Sequence, residues 1–349
     1  MAKIETLWIS KALEAYGLQN VKVQPLNQDG DVFIVSTPAG EQRFLKILSS
    51  QEGTDYLEDE AVYHSWSQLC CEMEILAGLE KVSFGTALPI KNVHGEMVSR
   101  LGSIGAAEVF ATLTTVVDGI LMEEAQDDPL EMTYAAGAAA GRLHNASQNG
   151  LASLAFNRPH RQQDYIQRVM EKIHQGVTRY GTVTQSQFSV LQQGAQWILS
   201  CMHELDRDAG RNTGLVHTDL RSGNFLYRAS SGASEAVPVD FTRSVYGYYL
   251  YDLGEMCAHM GGMAPDGAAQ VQILRGYHSV RPFRKGEILK VQGFFVMFLL
   301  MLMAESIQAV GNPWFLDTIL KLSEIYIPGL FSGGHFRENV RNSVDEVEC

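Results

Sequence analysis

Residues 217–224 read HTDLRSGN, and VDF follows at 239–241 after a gap of hairpin length. Together the two segments offer three carboxylate or amide side chains, Asp219, Asn224 and Asp240. A match to the pattern H-x-D-x-x-x-x-N alone is expected by chance in roughly one to two chains per hundred of this length. The pattern becomes significant because VDF follows it on a predicted strand and because other predicted elements precede it in the chain.

These three side chains match what phosphoryl transfer to an alcohol requires. That reaction needs a carboxylate beside the acceptor hydroxyl and hard oxygen ligands that hold Mg²⁺ against a triphosphate. In this interpretation Asp219 is the catalytic base, because it orients the hydroxyl and takes its proton. Asn224 and Asp240 are the predicted metal ligands, and His217 is expected to brace the loop.

The chain around this loop divides into two parts of different pattern. Residues 1–118 alternate β-like runs with turns and contain one helical stretch at about 57–79. The predicted strands are 20–26, 32–36, 43–48, 95–100 and 108–117. The predicted helices after residue 118 are 131–149, 160–175, 185–206, 249–263, 267–279, 286–309 and 314–328, with a β-rich interruption at 214–247. The sequence therefore predicts an α+β protein, with an N-terminal antiparallel-sheet lobe over 1–118 and a larger, mainly helical C-terminal lobe over 119–349.

Lys46 is a cation flanked by apolar residues in the predicted strand RFLKIL. It follows the turn at 27–31, where Gly30 lies among backbone N–H groups that would cover phosphates. Glu72, in the helix that follows, is the predicted partner that fixes Lys46 toward the α- and β-phosphates. The alternatives are that Lys46 is an edge-strand lysine reaching solvent, that Glu72 is an exposed helix charge, and that Glu74 is the partner.

In this order the residues resemble the aminoglycoside phosphotransferase and choline kinase family, within the protein-kinase-like superfamily. The resemblance covers nearly the whole chain. Besides the strand lysine, the helix glutamate, the HTDLRSGN loop and VDF, it includes Pro89, VVDG at 116–119, GRLH at 141–144 and YGYYLYDLG at 246–254. The last segment places Asp252 where the family has a G-x-x-x-x-D-L motif.

The resemblance implies a bilobal protein-kinase-like fold that binds ATP and Mg²⁺. It implies that adenine hydrogen-bonds to the backbone near Thr115 and Val117. It also implies that Arg221 either steadies the γ-phosphate or reaches the substrate, with a surface position as the alternative. Two departures from the family are Thr218, where Gly is common, and a single Gly in the turn at 27–31. The long activation segment of protein kinases is absent after VDF, which disfavours a protein substrate.

Composition and charge restrict the function further. The formal net charge is −13 and no basic stripe occurs, which argues against nucleic acid and membrane surfaces as partners. The five cysteines lack metal-ligand spacing and indicate a reduced, cytoplasmic protein, and the chain does not open on an apolar signal segment. The apolar run at 294–304 is shorter than the roughly 20 residues of a membrane-spanning helix, so it predicts a buried core helix.

The leading hypothesis is therefore an enzyme, a kinase that phosphorylates a hydroxyl group of a small molecule. Candidate acceptors are a metabolite, such as an amino alcohol, a hydroxy-amino acid or a sugar, and an antibiotic or other natural product. The acidity is not concentrated in the helical lobe, which argues against a polycationic aminoglycoside, whereas Arg221 and Arg243 would suit an anionic acceptor. The alternative is a catalytically silent, nucleotide-binding scaffold or sensor. The presence of the predicted base, metal ligands and lysine favours the enzyme.

Overall fold

The computed structural model describes residues 6–26, 31–50, 65–229, 234–307 and 313–332. Gly30 and most of the predicted glycine turn lie outside these residues, as does the first part of the helix predicted over 57–79. The described residues up to Asp118 form one compact unit, and those from Gly119 onward form a second.

The first unit contains a five-stranded antiparallel sheet and two helices. Its elements are α1 (Thr6–Ala15), β1 (Lys22–Pro25), β2 (Val32–Ser36), β3 (Gln42–Ser49), α2 (Trp66–Lys81), β4 (Val98–Ile104) and β5 (Ala107–Thr115). The strand order is β1-β2-β3-β5-β4. The five strands lie close to where the sequence predicts them, whereas α1 is a helix that the sequence analysis does not predict.

The sheet buries one face against α1, because side chains alternate between the two faces of each strand. Leu45 and Ile47 of β3 belong to one apolar cluster with Trp8 and Ala12 of α1. Lys46, between them in sequence, therefore points to the opposite face. The strand alternation thus places the apolar side chains of β3 on the face that packs against α1 and Lys46 on the opposite face.

The second unit is mainly helical and carries two three-stranded sheets. Its helices are α3 (Pro129–Ala146), α4 (Ala152–Ala155), α5 (Gln163–Gln175), α6 (Gln185–Leu205), α7 (Ala209–Asn212), α8 (Tyr249–Met260), α9 (Ala268–Val280), α10 (Glu287–Ser306) and α11 (Pro313–Ser332). Its strands are β6 (Ile120–Leu121), β7 (His160–Arg161), β8 (Thr213–Val216), β9 (Phe225–Arg228), β10 (Glu235–Pro238) and β11 (Val245–Tyr248), in sheets ordered β10-β9-β6 and β7-β11-β8. The seven predicted helices correspond to α3, α5, α6, α8, α9, α10 and α11, and the predicted α+β class is confirmed.

Helix α3 begins at a capped position and packs closely on α9. Asp128 caps it by accepting a hydrogen bond from the backbone N–H of Leu130 at 2.9 Å. Gly137 permits the close approach, since a Cβ there would lie 2.0 Å from the carbonyl oxygen of Ile273 in α9. This packing places His144, near the end of α3, fully inside the unit.

The short strands of the second unit hold both parts of the sequence motif. β8 ends at Val216, directly before the HTDLRSGN loop, and β9 begins at Phe225, directly after it. β10 pairs antiparallel with β9 so that Pro238 lies opposite Phe225. This pairing returns the chain to the end of the loop and brings Asp240 close to Asn224.

Helix α10 crosses the interior of the second unit. Among the described residues it is the one helix long and apolar enough to cross a membrane, and 78% of its most apolar stretch is buried inside the protein. Phe294, Val296 and Leu300 are fully buried. The buried core helix predicted over 294–304 is confirmed, and the helix itself is longer than the apolar run.

Candidate active site

The loop 217–224 is held at its first two residues by a buried carboxylate. The two oxygens of Asp252, in the first turn of α8, accept hydrogen bonds from the backbone N–H groups of His217 and Thr218, each at 2.9 Å. Nε2 of His217 donates to the carbonyl oxygen of Val239 at 3.0 Å. His217 therefore ties the loop to the segment that carries Asp240.

Asp252 is itself fixed by a second buried side chain. Nε2 of His144 lies 3.0 Å from Oδ2 of Asp252, and Nδ1 of His144 lies 3.0 Å from the hydroxyl of Tyr277. Burial lowers the pKa of His144. The neutral ring thus donates to Asp252 through Nε2 and accepts from Tyr277 through Nδ1. The carboxylate receives three hydrogen bonds, from side-chain and backbone groups far apart in the sequence.

Replacing Asp252 should therefore destabilise the protein. Asp252→Asn removes the charge on which three hydrogen bonds converge and turns amide N–H groups toward donors. We expect the free energy of unfolding, measured by urea denaturation, to fall by at least about 2 kcal/mol. Asp164→Asn, which removes an exposed ion pair with Arg168, is the matched control and should change it by no more than about 0.5 kcal/mol. Equal effects of the two substitutions would show that Asp252 does not anchor the loop.

Asp219 presents a partly buried carboxylate held by two neighbours. Its Oδ2 accepts a hydrogen bond from Nδ2 of Asn224 at 2.8 Å, and Nε of Arg221 lies 3.3 Å from its Oδ1. Asn224 also donates to the backbone carbonyl of Asp219 at 2.9 Å. The Asp219 side chain keeps 21% of its surface exposed and Arg221 keeps 46%. The carboxylate is thus fixed in direction and still accessible from solvent.

Asp240 follows this loop at the end of the β9–β10 hairpin. Its backbone has a positive φ of 65°, a conformation that Asp tolerates better than most residues. The hydroxyl of Thr242 donates to its Oδ1 at 2.7 Å. The backbone N–H of Val239 donates to the carbonyl of Asn224 at 2.9 Å. One backbone hydrogen bond therefore joins the segments that carry the two predicted metal ligands.

Thr218 shows why the family commonly has glycine at this position. Its φ is 57°, in the left-handed region that glycine adopts without penalty and that a β-branched residue rarely adopts. The side chain is buried, and its hydroxyl donates to the carbonyl oxygen of Arg243 at 2.6 Å. The threonine therefore adds a hydrogen bond to the loop at the expense of backbone strain.

Two residues of α8 that the sequence analysis does not single out lie close to Asp219. Potential ligand atoms of Asp219, Glu255 and His259 lie within 4.8 Å of one another. Burial raises the pKa of Glu255 well above its usual range, and Asp252 and Asp219 add to this effect. Burial also lowers the pKa of His259. The one available sequence signal is that Glu255 and His259 are four residues apart, and so share a face of the helix that contains Asp252.

In the first unit, Lys46 and Glu72 lie on the same side of the sheet. Lys46 is paired in register with Thr112, so it shares a face with Phe110. Trp66, at the start of α2, packs against Phe110 with ring centroids 5.9 Å apart, so α2 covers that face. Glu72 is buried in α2 at 5% exposure, where a carboxylate requires a charged or hydrogen-bonding partner.

The rival residue Glu74 is exposed. The difference in burial favours Glu72 over Glu74 as the partner of Lys46. Thr115 ends β5, and its backbone N–H donates to the carbonyl of Leu88 at 2.9 Å. The backbone N–H group of Thr115 is therefore engaged within the unit. The structure thus brings Asp219, Arg221 and Asn224 together in the second unit, beside the segment of Asp240, and places Lys46 and Glu72 on one face of the first.

The sequence profile of the phosphotransferase enzyme family matches residues 23–287. The chain belongs to the phosphotransferase enzyme family. The matched span contains every candidate catalytic, nucleotide and metal residue named above. A comparison of this chain with curated protein sequences finds no match.

Solved structures of several kinases are similar in fold to this family member. An amicoumacin kinase, solved with AMP-PNP and Ca²⁺, has a TM-score of 0.69 at 18% identity, over 92% of this chain and 93% of that one. A microcompartment-associated aminopropanol kinase has a TM-score of 0.71 at 19% identity, over 94% and 98%. An aminoglycoside phosphotransferase from Alicyclobacillus acidocaldarius has a TM-score of 0.62 at 15% identity, over 99% and 98%. These similarities show a protein-kinase-like fold, as the sequence resemblance implies.

Proposed function

We propose that the protein is an ATP-dependent kinase that transfers the γ-phosphoryl group to a hydroxyl group of a small molecule. The observation that carries this proposal is the carboxylate of Asp219, held by Asn224 and Arg221 and accessible from solvent. The loop that presents it is anchored at the buried Asp252. Membership of a phosphotransferase family supports the same reaction class.

Asp219 acts as the base in this proposal. The acceptor hydroxyl donates a hydrogen bond to its carboxylate, which points the oxygen at the γ-phosphorus. As the new O–P bond forms, the bond to the leaving ADP oxygen breaks and the hydroxyl proton passes to Asp219. Because the transition state is loose, the proton moves late and the main contribution of Asp219 is orientation. Arg221, beside it, steadies the negative charge of the transferred group.

Asn224 and Asp240 are the residues that would hold Mg²⁺. The side-chain nitrogen of Asn224 donates to Asp219, so its amide oxygen is the atom suited to a metal. Asp240 contributes an exposed carboxylate, and both are the hard oxygen donors that Mg²⁺ prefers. When bound, Mg²⁺ neutralises charge on the phosphate oxygens. The amicoumacin kinase of similar fold was solved with AMP-PNP and Ca²⁺, which supports the use of a nucleotide together with a divalent cation.

The unit up to residue 118 is the proposed nucleotide-binding lobe, and the unit from residue 119 is the proposed catalytic and acceptor-binding lobe. Lys46 would contact the α- and β-phosphates, fixed by Glu72. The backbone near Thr115 and Val117 would contact adenine. Burial of Glu72 on the face of the sheet that also carries Lys46 supports this pair.

Lys46→Ala and Glu72→Ala should each lower kcat/KM for ATP, and their losses should not add in the double variant. Both substitutions remove the same positioned charge, so we expect a coupling of at least about 1 kcal/mol in a double-mutant cycle. Glu74→Ala is the matched control, because Glu74 is an exposed carboxylate of the same helix. Additive losses, or a larger effect at Glu74, would show that Glu72 is not the partner.

The acceptor is proposed to be a small alcohol, either a metabolite such as an amino alcohol, a hydroxy-amino acid or a sugar, or an antibiotic or other natural product. Kinases of similar fold act on substrates of both kinds, since the similar structures include an aminopropanol kinase and an amicoumacin kinase. A protein substrate, nucleic acid and a membrane surface are not part of the proposal. The charge and motif arguments from the sequence disfavour all three.

The test is ATP turnover measured with and without a panel of small alcohols, together with AMP-PNP binding. Phosphorylation of at least one alcohol, confirmed by mass spectrometry of the product, would support the kinase. Binding of AMP-PNP without turnover on any alcohol would favour the alternative, a catalytically silent nucleotide-binding scaffold or sensor.

A further inference from the structure

Arg158 is a buried arginine that the proposed phosphoryl transfer does not use. It lies two residues before β7, and only 3% of its surface is exposed. Its Nε donates a hydrogen bond to the carbonyl oxygen of Ser244 at 2.7 Å, and its Nη2 donates to the carbonyl oxygen of Thr242. A charged group removed from water is stable only where its donors are used. The guanidinium group therefore directs two donors at one short segment, 84 and 86 residues later in the chain.

That segment is the turn directly after Asp240, the proposed metal ligand. Phe241–Arg243 forms one turn of 3₁₀-helix. The hydroxyl of Thr242 donates to Oδ1 of Asp240 at 2.7 Å, while the carbonyl oxygen of the same threonine accepts from Arg158. Asp240 has a φ of 65°, and a non-glycine residue keeps such a conformation only where its surroundings hold it. Thr242 thus connects the buried guanidinium group to the exposed carboxylate of Asp240.

Thr218 holds the carbonyl group between the two that the guanidinium group binds. Its hydroxyl donates to the carbonyl oxygen of Arg243 at 2.6 Å, and the residue is 2% exposed. The backbone N–H and the hydroxyl of Ser244 donate to the carbonyl oxygen of Phe241 at 3.0 and 2.7 Å. Four successive carbonyl groups are therefore engaged, three of them by side chains from outside the turn. Contacts within the protein alone fix the turn.

The strand pairing next to Arg158 does not depend on its side chain. β7 pairs parallel with β11, and the backbone N–H of Tyr246 donates to the carbonyl of Pro159 at 2.9 Å. These are backbone contacts, which a lysine in place of the arginine would preserve. Lysine keeps the charge but lacks the planar set of donors with which a guanidinium group reaches two carbonyl groups at once. The contacts that are specific to Arg158 are therefore those to the turn.

We propose that Arg158 and Thr218 are positioning residues for the metal site. By holding the turn after Asp240 they keep its carboxylate directed for Mg²⁺ before the nucleotide binds. The apparent affinity for a ligand falls in proportion to the fraction of molecules in the binding-competent conformation. Loss of either side chain therefore weakens Mg²⁺-dependent nucleotide binding even where the fold is retained. This inference rests on the proposed function, in which Asp240 holds Mg²⁺ with the nucleotide.

The first test measures the binding of AMP-PNP by calorimetry, with Mg²⁺ and with EDTA. Arg158→Lys should raise the Kd measured with Mg²⁺ by about 10-fold, the value expected if about a tenth of the molecules keep the turn ordered. The Kd measured with EDTA should change by less than about 2-fold, since that binding does not use Asp240. Arg168→Lys, which alters an exposed arginine paired with Asp164, is the matched control and should change neither value.

The second variant, Thr218→Gly, separates positioning from stability. Glycine adopts the φ of 57° without strain, which offsets the lost hydrogen bond, so we expect Tm to change by no more than about 3 °C. The Kd of AMP-PNP with Mg²⁺ should nevertheless rise by about 3- to 10-fold. A merely structural residue would leave the Mg²⁺-dependent part of binding unchanged. This variant decides the question if Arg158→Lys yields no folded protein.

Hydrogen exchange in the ligand-free protein reports on the turn directly. The amide of Ser244, which donates within the turn, should exchange at least about 10-fold faster in Arg158→Lys, because opening of the turn exposes it. The amides of β8, which pairs with β11, should exchange at the parental rate and serve as the internal reference. Equal acceleration in β8 would show that Arg158 supports the whole sheet and would refute the positioning role.

The results that would overturn this inference differ from those that would overturn the kinase proposal. An unchanged Kd with Mg²⁺ in either folded variant, or an equal rise with Mg²⁺ and with EDTA, would refute the positioning role while the kinase activity stands. An absence of turnover by the parent protein on every alcohol would refute the kinase, and the binding and exchange measurements would still decide the inference. Binding of AMP-PNP by the parent protein that is no tighter with Mg²⁺ than with EDTA would refute both proposals.

Discussion

Asp219→Asn should bind MgATP almost as well as the parent protein and lose about 10²- to 10⁴-fold in kcat, the usual span for one general base. The substitution keeps the size of the side chain, and its amide oxygen can still accept the hydrogen bond from Asn224. It removes the charge that draws the hydroxyl proton and the ion pair with Arg221. Steady-state kinetics on the identified acceptor and calorimetric titration with AMP-PNP and Mg²⁺ measure the two effects separately.

The control for this variant is Asp317→Asn, which neutralises an exposed carboxylate in an i,i+4 pair with Lys321 and should leave kcat unchanged. Parental turnover by Asp219→Asn would mean that the proposed mechanism is wrong. The scaffold or sensor function would then be the better account of the protein.

Asp240→Ala should lower turnover by at least about 10²- to 10³-fold, the scale of losing one group that stabilises charge at a reacting centre. In contrast to Asp219→Asn, it should also weaken nucleotide binding in the presence of Mg²⁺. Calorimetric titration of AMP-PNP, with Mg²⁺ and with EDTA, measures this difference. Unchanged activity in the variant would remove Asp240 from the metal site.

Backbone strain complicates the alanine variant, because Asp240 has a positive φ that Ala adopts unfavourably. Asp240→Asn is the matched variant, since Asn tolerates this conformation and keeps the shape of the side chain. If the metal assignment is right, Asp240→Asn also weakens Mg²⁺-dependent nucleotide binding, because its amide oxygen can ligate the ion but lacks the charge. If Asp240→Asn binds AMP-PNP with Mg²⁺ as tightly as the parent protein, the charge of Asp240 is not needed at the metal site.

The fold and the order of the candidate site residues were accessible from the sequence because they depend on local patterns. Hydrophobic periodicity predicts the long helices, and alternation predicts the strands that flank the HTDLRSGN loop. The fixed spacing between Asp219 and Asn224 places both on one loop. Burial of Glu72 and exposure of Glu74 favour Glu72, which the sequence analysis predicts as the partner with Glu74 as the alternative.

The rest depends on tertiary contacts that no local pattern encodes. Helix α1 owes its position to packing of Trp8 and Ala12 against the sheet, and its ten residues give too short a pattern to predict it. In the sequence Glu255 is indistinguishable from an ordinary exposed helix charge, whereas the structure shows that it is buried close to Asp219. Neighbours from several segments of the chain exclude solvent from it.

The chain of hydrogen bonds from Tyr277 through His144 to Asp252 affects how loss-of-function variants of this protein should be interpreted. A genetic selection for inactive alleles would recover substitutions at these three positions together with those at Asp219, although none of the three side chains touches a reactant in the proposed mechanism. Alleles of the first kind lower the amount of folded protein, whereas alleles at Asp219 leave its abundance unchanged. Abundance, scored beside activity, therefore assigns each allele to folding or to chemistry.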